Sequence, residues 1–155
     1  MSISDEIVLM RNGRLQQCAA AQELYHQPAN LFAAAFLGNP PINLLRGVWA
    51  EGAVGQDDGV ARIPLPRGAA PAEGARVVLA IRPESFAIAD DGIPWLADDV
   101  FEIGRERIAT LRLGAWAARA FIPGETALAK GDTVRLMPAR RGVFLFDEDT
   151  EARLL

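Results

Sequence analysis

The residues of this chain that could do chemistry are few and scattered. Its single histidine, His26, precedes Gln27-Pro28, and a serine hydrolase would need such a histidine as the base that activates its nucleophile. Its single lysine, Lys130, is followed by Gly131-Asp132, whereas a phosphate-binding P-loop places serine or threonine directly after the lysine. We therefore expect a surface or capping role for His26 and no nucleotide-binding loop in this sequence.

Paired carboxylates are the other candidates, either for acid–base chemistry or for binding a hard metal ion. They are Asp57-Asp58, Asp90-Asp91, Asp98-Asp99 and Asp147-Glu148-Asp149. None has the spacing of a calcium loop, and such clusters are more often solvated turns. One cysteine and one histidine cannot supply the three or four ligands of a zinc site. We therefore predict no catalytic, cofactor-binding or metal-binding residue here.

Cysteine and tryptophan usage gives two further expectations. Cys18 has no partner for an internal disulfide, so we expect a packed thiol in a reducing compartment. Trp49, Trp95 and Trp116 could form a stacking platform for a sugar or a base. Because they lie in β-like runs, where large aromatic side chains usually fill the interior, we expect them in the core.

Length and charge restrict the class of protein further. The chain has 155 residues, half of them apolar, which suffices for one ordinary core. Acidic residues outnumber basic ones by 20 to 16, giving a net charge of −4, so nucleic acid is a poor candidate partner. No run approaches the roughly 18 apolar residues of a membrane span, and the sequence predicts a cytoplasmic location.

The first 38 residues show a mixed α/β pattern. Glu6–Met10 and Leu15–Cys18 read as a hairpin around Asn12-Gly13, and a helix is predicted from Ala20 to His26. A second short helix is predicted between an N-cap at Asn30 and a C-terminal Gly38. Its buried stripe is predicted to be Leu31, Phe32, Ala35 and Phe36.

The character of the sequence changes after an extended linker at residues 39–43. Short β-like runs then alternate with turn residues, which predicts a small antiparallel barrel or sandwich over residues 44–155. Gly114-Ala115 and Arg141-Gly142 are predicted hairpin turns. The predicted strands are Leu44–Trp49, Val60–Ile63, Arg76–Arg82, Trp95–Glu102, Arg107–Leu113, Trp116–Ile122, Thr133–Met137 and Val143–Phe146.

An ordered series of short motifs resembles one known family. The runs Arg11–Gln17, Glu23–Phe32 and Ala35–Leu45 look like the exit from the nucleotide-binding domain of carbohydrate-type ABC import ATPases. Ala80-Ile-Arg-Pro-Glu84, Glu102-Ile-Gly104, Ala129–Asp132 and Phe144–Asp147 resemble landmarks of that family's regulatory domain. The landmark residues carried over are Asn30, Gly38, Asn43, Arg82, Pro83, Glu84, Gly104, Phe146 and Asp147.

The resemblance implies a fold, a function and partners. It implies an OB-like regulatory (TOBE) domain over residues 44–155, with residues 1–38 as the end of a nucleotide-binding domain. It also implies a homodimer through the regulatory domain, permease subunits as membrane partners, and ATP and Mg as cofactors of the parent protein only. The resemblance further implies that the protein lies at the inner face of the cell membrane in the intact transporter. The transported solute would be a sugar, a sugar alcohol or a glycerol phosphate.

Two points stay open at this stage. A stand-alone OB-like domain that senses a small ligand or an oxyanion is the alternative function. If the chain is separated from a nucleotide-binding domain, the segment Glu6–Phe36 loses the surface on which it packs. We therefore expect that segment to be disordered, swapped or packed on another molecule.

Overall fold

The computed structural model describes residues 5–66, 68 and 70–155, and strands dominate them. Two short α-helices and one 3-10 turn, Pro83–Ser85, complete the described elements. The helices are α1 (Ala21–His26) and α2 (Leu31–Phe36). The strands are β1 (Ile7–Arg11), β2 (Arg14–Ala19), β3 (Asn43–Ala50), β4 (Ala53–Gly55), β5 (Arg62–Pro64), β6 (Arg76–Ile81), β7 (Phe86–Ile103), β8 (Glu106–Leu113), β9 (Trp116–Ile122), β10 (Thr133–Pro138) and β11 (Val143–Asp147).

Strands β3 to β11 form two antiparallel sheets around one core, which we call the barrel. One sheet has the order β11-β6-β3-β4-β5 and the other has the order β10-β7-β8-β9. Strands β3 and β9 alternate buried and accessible residues, as expected when one face meets the core. Trp49, Trp95 and Trp116 are only 3%, 1% and 6% exposed, so the expectation of core tryptophans is confirmed.

The two sheets are joined along β3 and β9 by side chains, and we call this line the seam. The Asn43 amide nitrogen donates to the Arg119 carbonyl at 2.8 Å, and the Asn43 amide oxygen accepts from the Arg119 N–H at 2.8 Å. The indole N–H of Trp116 donates to the carbonyl of Arg46 at 2.8 Å. The side chain of Asn43 thus hydrogen-bonds to Arg119 as a residue of a neighbouring strand would, because its amide offers the same donor and acceptor as a backbone peptide.

Gln56 joins the same sheets beyond the seam. Its amide nitrogen donates to the Leu113 carbonyl at 2.6 Å, and its oxygen accepts from the N–H of Ala115 at 3.2 Å. Gly114 lies between these partners with φ at 57°, and a Cβ there would lie 2.4 Å from the Gln56 oxygen. The predicted turn at Gly114-Ala115 is therefore present, and it requires glycine for both conformation and space.

Residues 7–37, which we call the N-terminal segment, comprise β1, β2, α1 and α2. Asn12 and Gly13 both have positive φ, so the predicted hairpin turn is present. One face of the hairpin packs Leu9 against Leu24 and Ala33. The opposite face exposes large apolar side chains. They are Val8 at 60%, Met10 at 54% and Leu15 at 61%.

Two sequence-based expectations for this segment are wrong. Cys18 is exposed, not packed, because it pairs with Val8 and therefore belongs to the open face of the hairpin. Of the predicted stripe of α2, Leu31 is buried and Phe32 is half-buried, but Ala35 and Phe36 are exposed, and Ala33 and Ala34 are buried in their place. The helix lies between the barrel and the hairpin, so its buried arc faces two neighbours instead of one.

The segment also packs on the barrel of its own chain, contrary to the expectation of disorder or exchange. Leu31 and Ala34 contact the apolar side chains on the outer face of the five-stranded sheet. The Leu31 N–H donates to the Glu151 carbonyl at 3.0 Å, and Asn30 forms a β-bridge with Ala152. The sheet residues in this cluster are Val78, Ala80, Phe144 and Phe146.

Candidate functional site at the junction of helices and barrel

A buried arginine holds the N-terminal segment to the barrel. Arg82 directly follows β6 and is 1% exposed. Its Nη1 donates to the Ala34 carbonyl at 3.0 Å and to the Leu37 carbonyl at 2.6 Å, while its Nη2 donates to the Tyr25 carbonyl at 3.0 Å. These carbonyls belong to the last turns of α1 and α2, where helix carbonyls lack partners of their own. One guanidinium therefore caps both helices.

The surroundings of Arg82 are aromatic and weakly charged. Its guanidinium lies over the Tyr25 ring at 4.0 Å, and the Tyr25 hydroxyl donates to Glu84. Burial lowers the pKa of Arg82, although a guanidinium keeps its charge at any ordinary pH. Burial, and then the hydrogen bond to Glu84, raise the pKa of Tyr25 to about 12. The positive charge is thus stabilised by carbonyl dipoles and a ring face, and also by the nearby Glu84 carboxylate.

Two glycines allow the backbone to approach this arginine. The Arg82 N–H donates to the Gly142 carbonyl at 2.8 Å. A Cβ on Gly142 would lie 2.1 Å from the Ser85 Oγ and 3.1 Å from the Arg82 Cγ. Gly38 has φ at 125°, and a Cβ there would lie 3.3 Å from the Arg82 Nη1. Pro83 then begins the 3-10 turn that carries the chain from β6 into β7.

Several landmark residues from the sequence lie around this junction. The side chain of Asn30 accepts from the Ala33 N–H at 2.8 Å, so it caps α2 as predicted. Phe146 is fully buried against Leu31 in the cluster below α2. Asp147 accepts from the N–H groups of Asp149 and Thr150 at 2.9 and 2.7 Å and so shapes the turn after β11. Hydrogen bonding, chiefly from Thr150, lowers the pKa of Asp147.

The remaining landmarks lie elsewhere. Gly104 has φ at 62° in the turn between β7 and β8, and Asn43 lies in the seam. The structure therefore brings Gly38, Arg82, Pro83 and Glu84 into one cluster and leaves Gly104 apart. Sequence reasoning missed Tyr25 and Gly142 as partners of Arg82. A charged residue at the end of the apolar run Val77–Ile81 was the available signal for a buried, hydrogen-bonded arginine.

The histidine and several of the paired carboxylates make contacts that are common on protein surfaces. His26 is exposed, and its Nε2 lies 3.2 Å from the Gln22 side-chain oxygen. Asp57 and Glu148 pair with Arg76, while Asp98 pairs with Arg112. Within residues 5–66, 68 and 70–155, no group of three or more histidine, cysteine or acidic side chains could hold a metal ion.

The tip of the β7–β8 hairpin carries an apolar surface, which we call the tip surface. Phe101 is 47% exposed and Ile103 is 60% exposed, and Phe101 pairs across the hairpin with Ile108. Ile108 lies on the same face and is only 7% exposed, and it lines a shallow pocket together with Phe101, Ile103 and Pro40. Exposed charges of both signs adjoin this surface, because Glu106 pairs with Ile103 and Arg105 lies in the turn between them.

The two sheets, their shared core and the capping junction define a small β-barrel domain of the OB class with an attached α/β segment. A family model described as the MalK OB fold domain matches residues 38–86, which run from Gly38 through β3 and β6 to the start of β7. The matched model describes an OB fold, not a nucleotide-binding domain.

Similar proteins cover almost the whole chain. The sn-glycerol-3-phosphate import ATP-binding protein UgpC of Escherichia coli (strain K12) is 32% identical over 158 aligned residues, which is 99% of this chain and 44% of that protein. An ATP-binding protein of Brucella abortus (strain 2308) is 31% identical over 154 residues, 97% of this chain and 43% of that protein. The family-model match and these identities support a region similar to the C-terminal OB-fold part of ABC importer ATP-binding subunits. The chain spans less than half the length of these relatives.

Among the described residues, no helix is long and apolar enough to cross a membrane.

Proposed function

We propose that this chain is the regulatory region of the ATP-binding subunit of an ABC importer for a sugar, a sugar alcohol or a glycerol phosphate. In the intact protein, an ATP-hydrolysing part that uses ATP and Mg would pack on the N-terminal segment. The observation that carries this proposal is the two-faced hairpin. One face is buried on α1 and α2, while Val8, Met10 and Leu15 expose an apolar strip on the other. A strip of that kind marks a contact surface.

The junction at Arg82 gives the N-terminal segment a fixed orientation on the barrel. Three charge-assisted hydrogen bonds and the cluster around Phe146 make the segment a rigid extension of the barrel. A displacement of the ATP-hydrolysing part would therefore be passed to the barrel, and a contact made by the barrel would restrain that part. Permease subunits would be met through the ATP-hydrolysing part, at the cytoplasmic face of the membrane.

We propose further that two copies of this chain associate through the tip surface. A two-fold contact must be complementary to itself, and Phe101 and Ile103 with charges of both signs around them satisfy that requirement. Such a contact would keep two ATP-hydrolysing parts near each other while they are open. Their closure would then behave as an intramolecular step, because the effective concentration is high.

Sedimentation equilibrium of the 155-residue chain tests this association. The double variant Phe101→Glu with Ile103→Glu should raise the dimer dissociation constant by about tenfold or more, since buried apolar anchors dominate such contacts. Val60→Glu, compared with each single variant Phe101→Glu or Ile103→Glu, is the matched control, because it adds the same charge at an apolar side chain that is 75% exposed and distant in sequence from the tip. Purely monomeric behaviour of the unaltered chain at high concentration, or equal weakening by Val60→Glu, would refute the proposed dimer.

The regulatory role has a test of its own in the intact subunit. Glutamate at Met10 and Leu15 should uncouple the regulatory region from the ATP-hydrolysing part, because both side chains would lie in the contact between them. We expect solute uptake to change while the isolated 155-residue chain keeps its denaturation midpoint. If uptake is unaltered in this variant, the hairpin face does not form that contact.

A further inference from the structure

A cationic pocket lies where the N-terminal segment meets the barrel, and we call it the arginine pocket. It has a volume of about 350 Å³ and is lined by His26, Gln27, Arg140, Arg141, Gly142, Val143, Phe144 and Arg153. Three arginines and a histidine thus converge in a chain whose net charge is −4, and no acidic residue lines the pocket. The local charge is opposite to the overall charge of the chain.

The arginines of this pocket differ from five others in the molecule, which are paired with carboxylates. Arg11, Arg46, Arg62, Arg76 and Arg112 each lie within 4 Å of a carboxylate. In the part of the chain that the structure describes, no such ion pair involves Arg140, Arg141 or Arg153. Their charge is therefore available to a ligand.

Arg153 is held in place before any ligand arrives. Its Nη1 donates to the Gln27 side-chain oxygen at 2.9 Å and its Nε donates to the Leu155 carbonyl at 3.2 Å. Its guanidinium also lies over the Phe144 ring at 5.1 Å. These contacts orient the guanidinium and reduce the entropy that binding would otherwise cost. Partial desolvation lowers the pKa of Arg153, although the residue as a whole stays exposed to a ligand.

The turn that carries the other two arginines is fixed as well. Gly142 has φ at 75°, and its carbonyl accepts the N–H of Arg82, the residue that caps both helices. Arg140 and Arg141 thus precede a glycine that packs directly on the junction. The pocket has one wall from the helical segment and one from the barrel, so a ligand there would contact both.

We propose that the arginine pocket binds a small phosphate-type oxyanion, either inorganic phosphate or the phosphate group of a small phosphomonoester. Guanidinium groups match the oxygens of phosphate with paired N–H donors, and a volume near the lower end of known ligand pockets suits a small ion or metabolite. The bound anion would bridge the N-terminal segment and the barrel. Its regulatory consequence rests on the function proposed above, whereas the binding itself does not.

Titration calorimetry of the full 155-residue chain with inorganic phosphate, at constant ionic strength, tests the site. Replacing Arg140 and Arg141 by glutamine should weaken binding by about tenfold or more, because two charge-assisted contacts are lost. The matched control replaces Arg14 and Lys130 by glutamine, which makes the same change of net charge at two exposed cations elsewhere. Absence of phosphate binding at millimolar concentration, or an equal loss in the control, would overturn the proposal.

A second titration separates the two sources of the phosphate group. Ribose 5-phosphate that binds more tightly than inorganic phosphate would identify a phosphomonoester site, and equal or weaker binding would identify a site for the free ion. Ribose alone should not bind in either case. Sedimentation of the same samples distinguishes this result from the dimer proposal, because the Arg140 and Arg141 variant should retain its association at the tip surface.

Discussion

The barrel and the N-terminal segment are stabilised in different ways. The barrel encloses one continuous core with three tryptophans, and its two sheets share most of their buried side chains. The segment has two six-residue helices and a hairpin, whose own cluster is centred on Leu9, Leu24 and Ala33. Helices so short are unstable alone, so the segment depends on Arg82 and on the outer face of the sheet. The barrel should therefore survive loss of the segment, while the segment should not survive loss of the barrel.

The largest effect should follow from truncating the barrel core. Trp95→Ala removes a side chain that is 1% exposed and packs edge-to-face on Phe86. We expect a loss of about 3–5 kcal/mol, because a large cavity replaces the indole. Denaturant unfolding measures this loss. Hydrogen exchange of the same variant should show that protection of the amides falls together in the barrel and in the N-terminal segment. Retained protection in α1 and α2 would contradict the dependence of the segment on the barrel.

An intermediate and local effect should follow from removing the capping guanidinium. Arg82→Met leaves the carbonyls of Tyr25, Ala34 and Leu37 without their donor, which costs about 2–3 kcal/mol. Hydrogen exchange should accelerate in α1 and α2, while the amides of β3 and β6 stay protected.

Arg107→Met is the matched control for this change. Arg107 also donates from both terminal nitrogens to backbone carbonyls, those of Thr126 and Leu128 at 2.5 and 2.7 Å, but within the barrel. It should loosen that loop and leave α1 and α2 unchanged. If both variants open the helices equally, Arg82 has no special role at the junction.

The smallest effect concerns ionisation of Tyr25, the only tyrosine of the chain. Its pKa is raised from 10.0 to about 12, so the unfolded chain releases this proton before the folded chain does. The stabilising contribution is fully present below the pKa of the unfolded chain and is lost as the pH rises through the pKa of the folded chain. The free energy of unfolding should therefore fall only at alkaline pH and not near neutral pH.

The ultraviolet absorbance of the phenolate measures this directly. The folded chain should titrate near the raised value and the chain in denaturant near the ordinary one. Loss of the Arg82 charge alone would raise the pKa of Tyr25, but burial is the largest cause of its shift, so opening the segment in Arg82→Met should return the pKa towards the ordinary one. A folded chain that titrates at the ordinary pKa would show that Tyr25 is already hydrated.

Local chemistry predicted much of the fold. Asn12, Gly13 and Gly114 have positive φ, and the strands around both turns are present where the sequence predicts them. The strand Trp116–Ile122 was predicted with its observed bounds. The segment Phe86–Pro94 was not predicted as part of β7, because Asp90-Asp91-Gly92 resembles a turn and the strand there is irregular where it pairs with β10.

The junction and the seam depended on contacts between residues distant in sequence. Nothing near Arg82 shows that its partners are Tyr25, Ala34 and Leu37, about 50 positions earlier. The face of α2 was mispredicted for the same reason, since a helix with two neighbours has no single stripe. The predicted boundary at residues 39–43 stays a prediction, and β3 already begins at Asn43.

The seam has a consequence for how this fold can vary. Where two strands share a backbone ladder, mutation cannot easily change the contact, because every residue type supplies the same peptide groups. Here the side chains of Asn43 and Trp116 make the contact, so each connection depends on the identity of one residue. A single substitution at Asn43 or Trp116 can therefore remove a connection between β3 and β9 without an insertion. Descendants of this barrel could acquire a new recognition surface by that route while keeping the same topology.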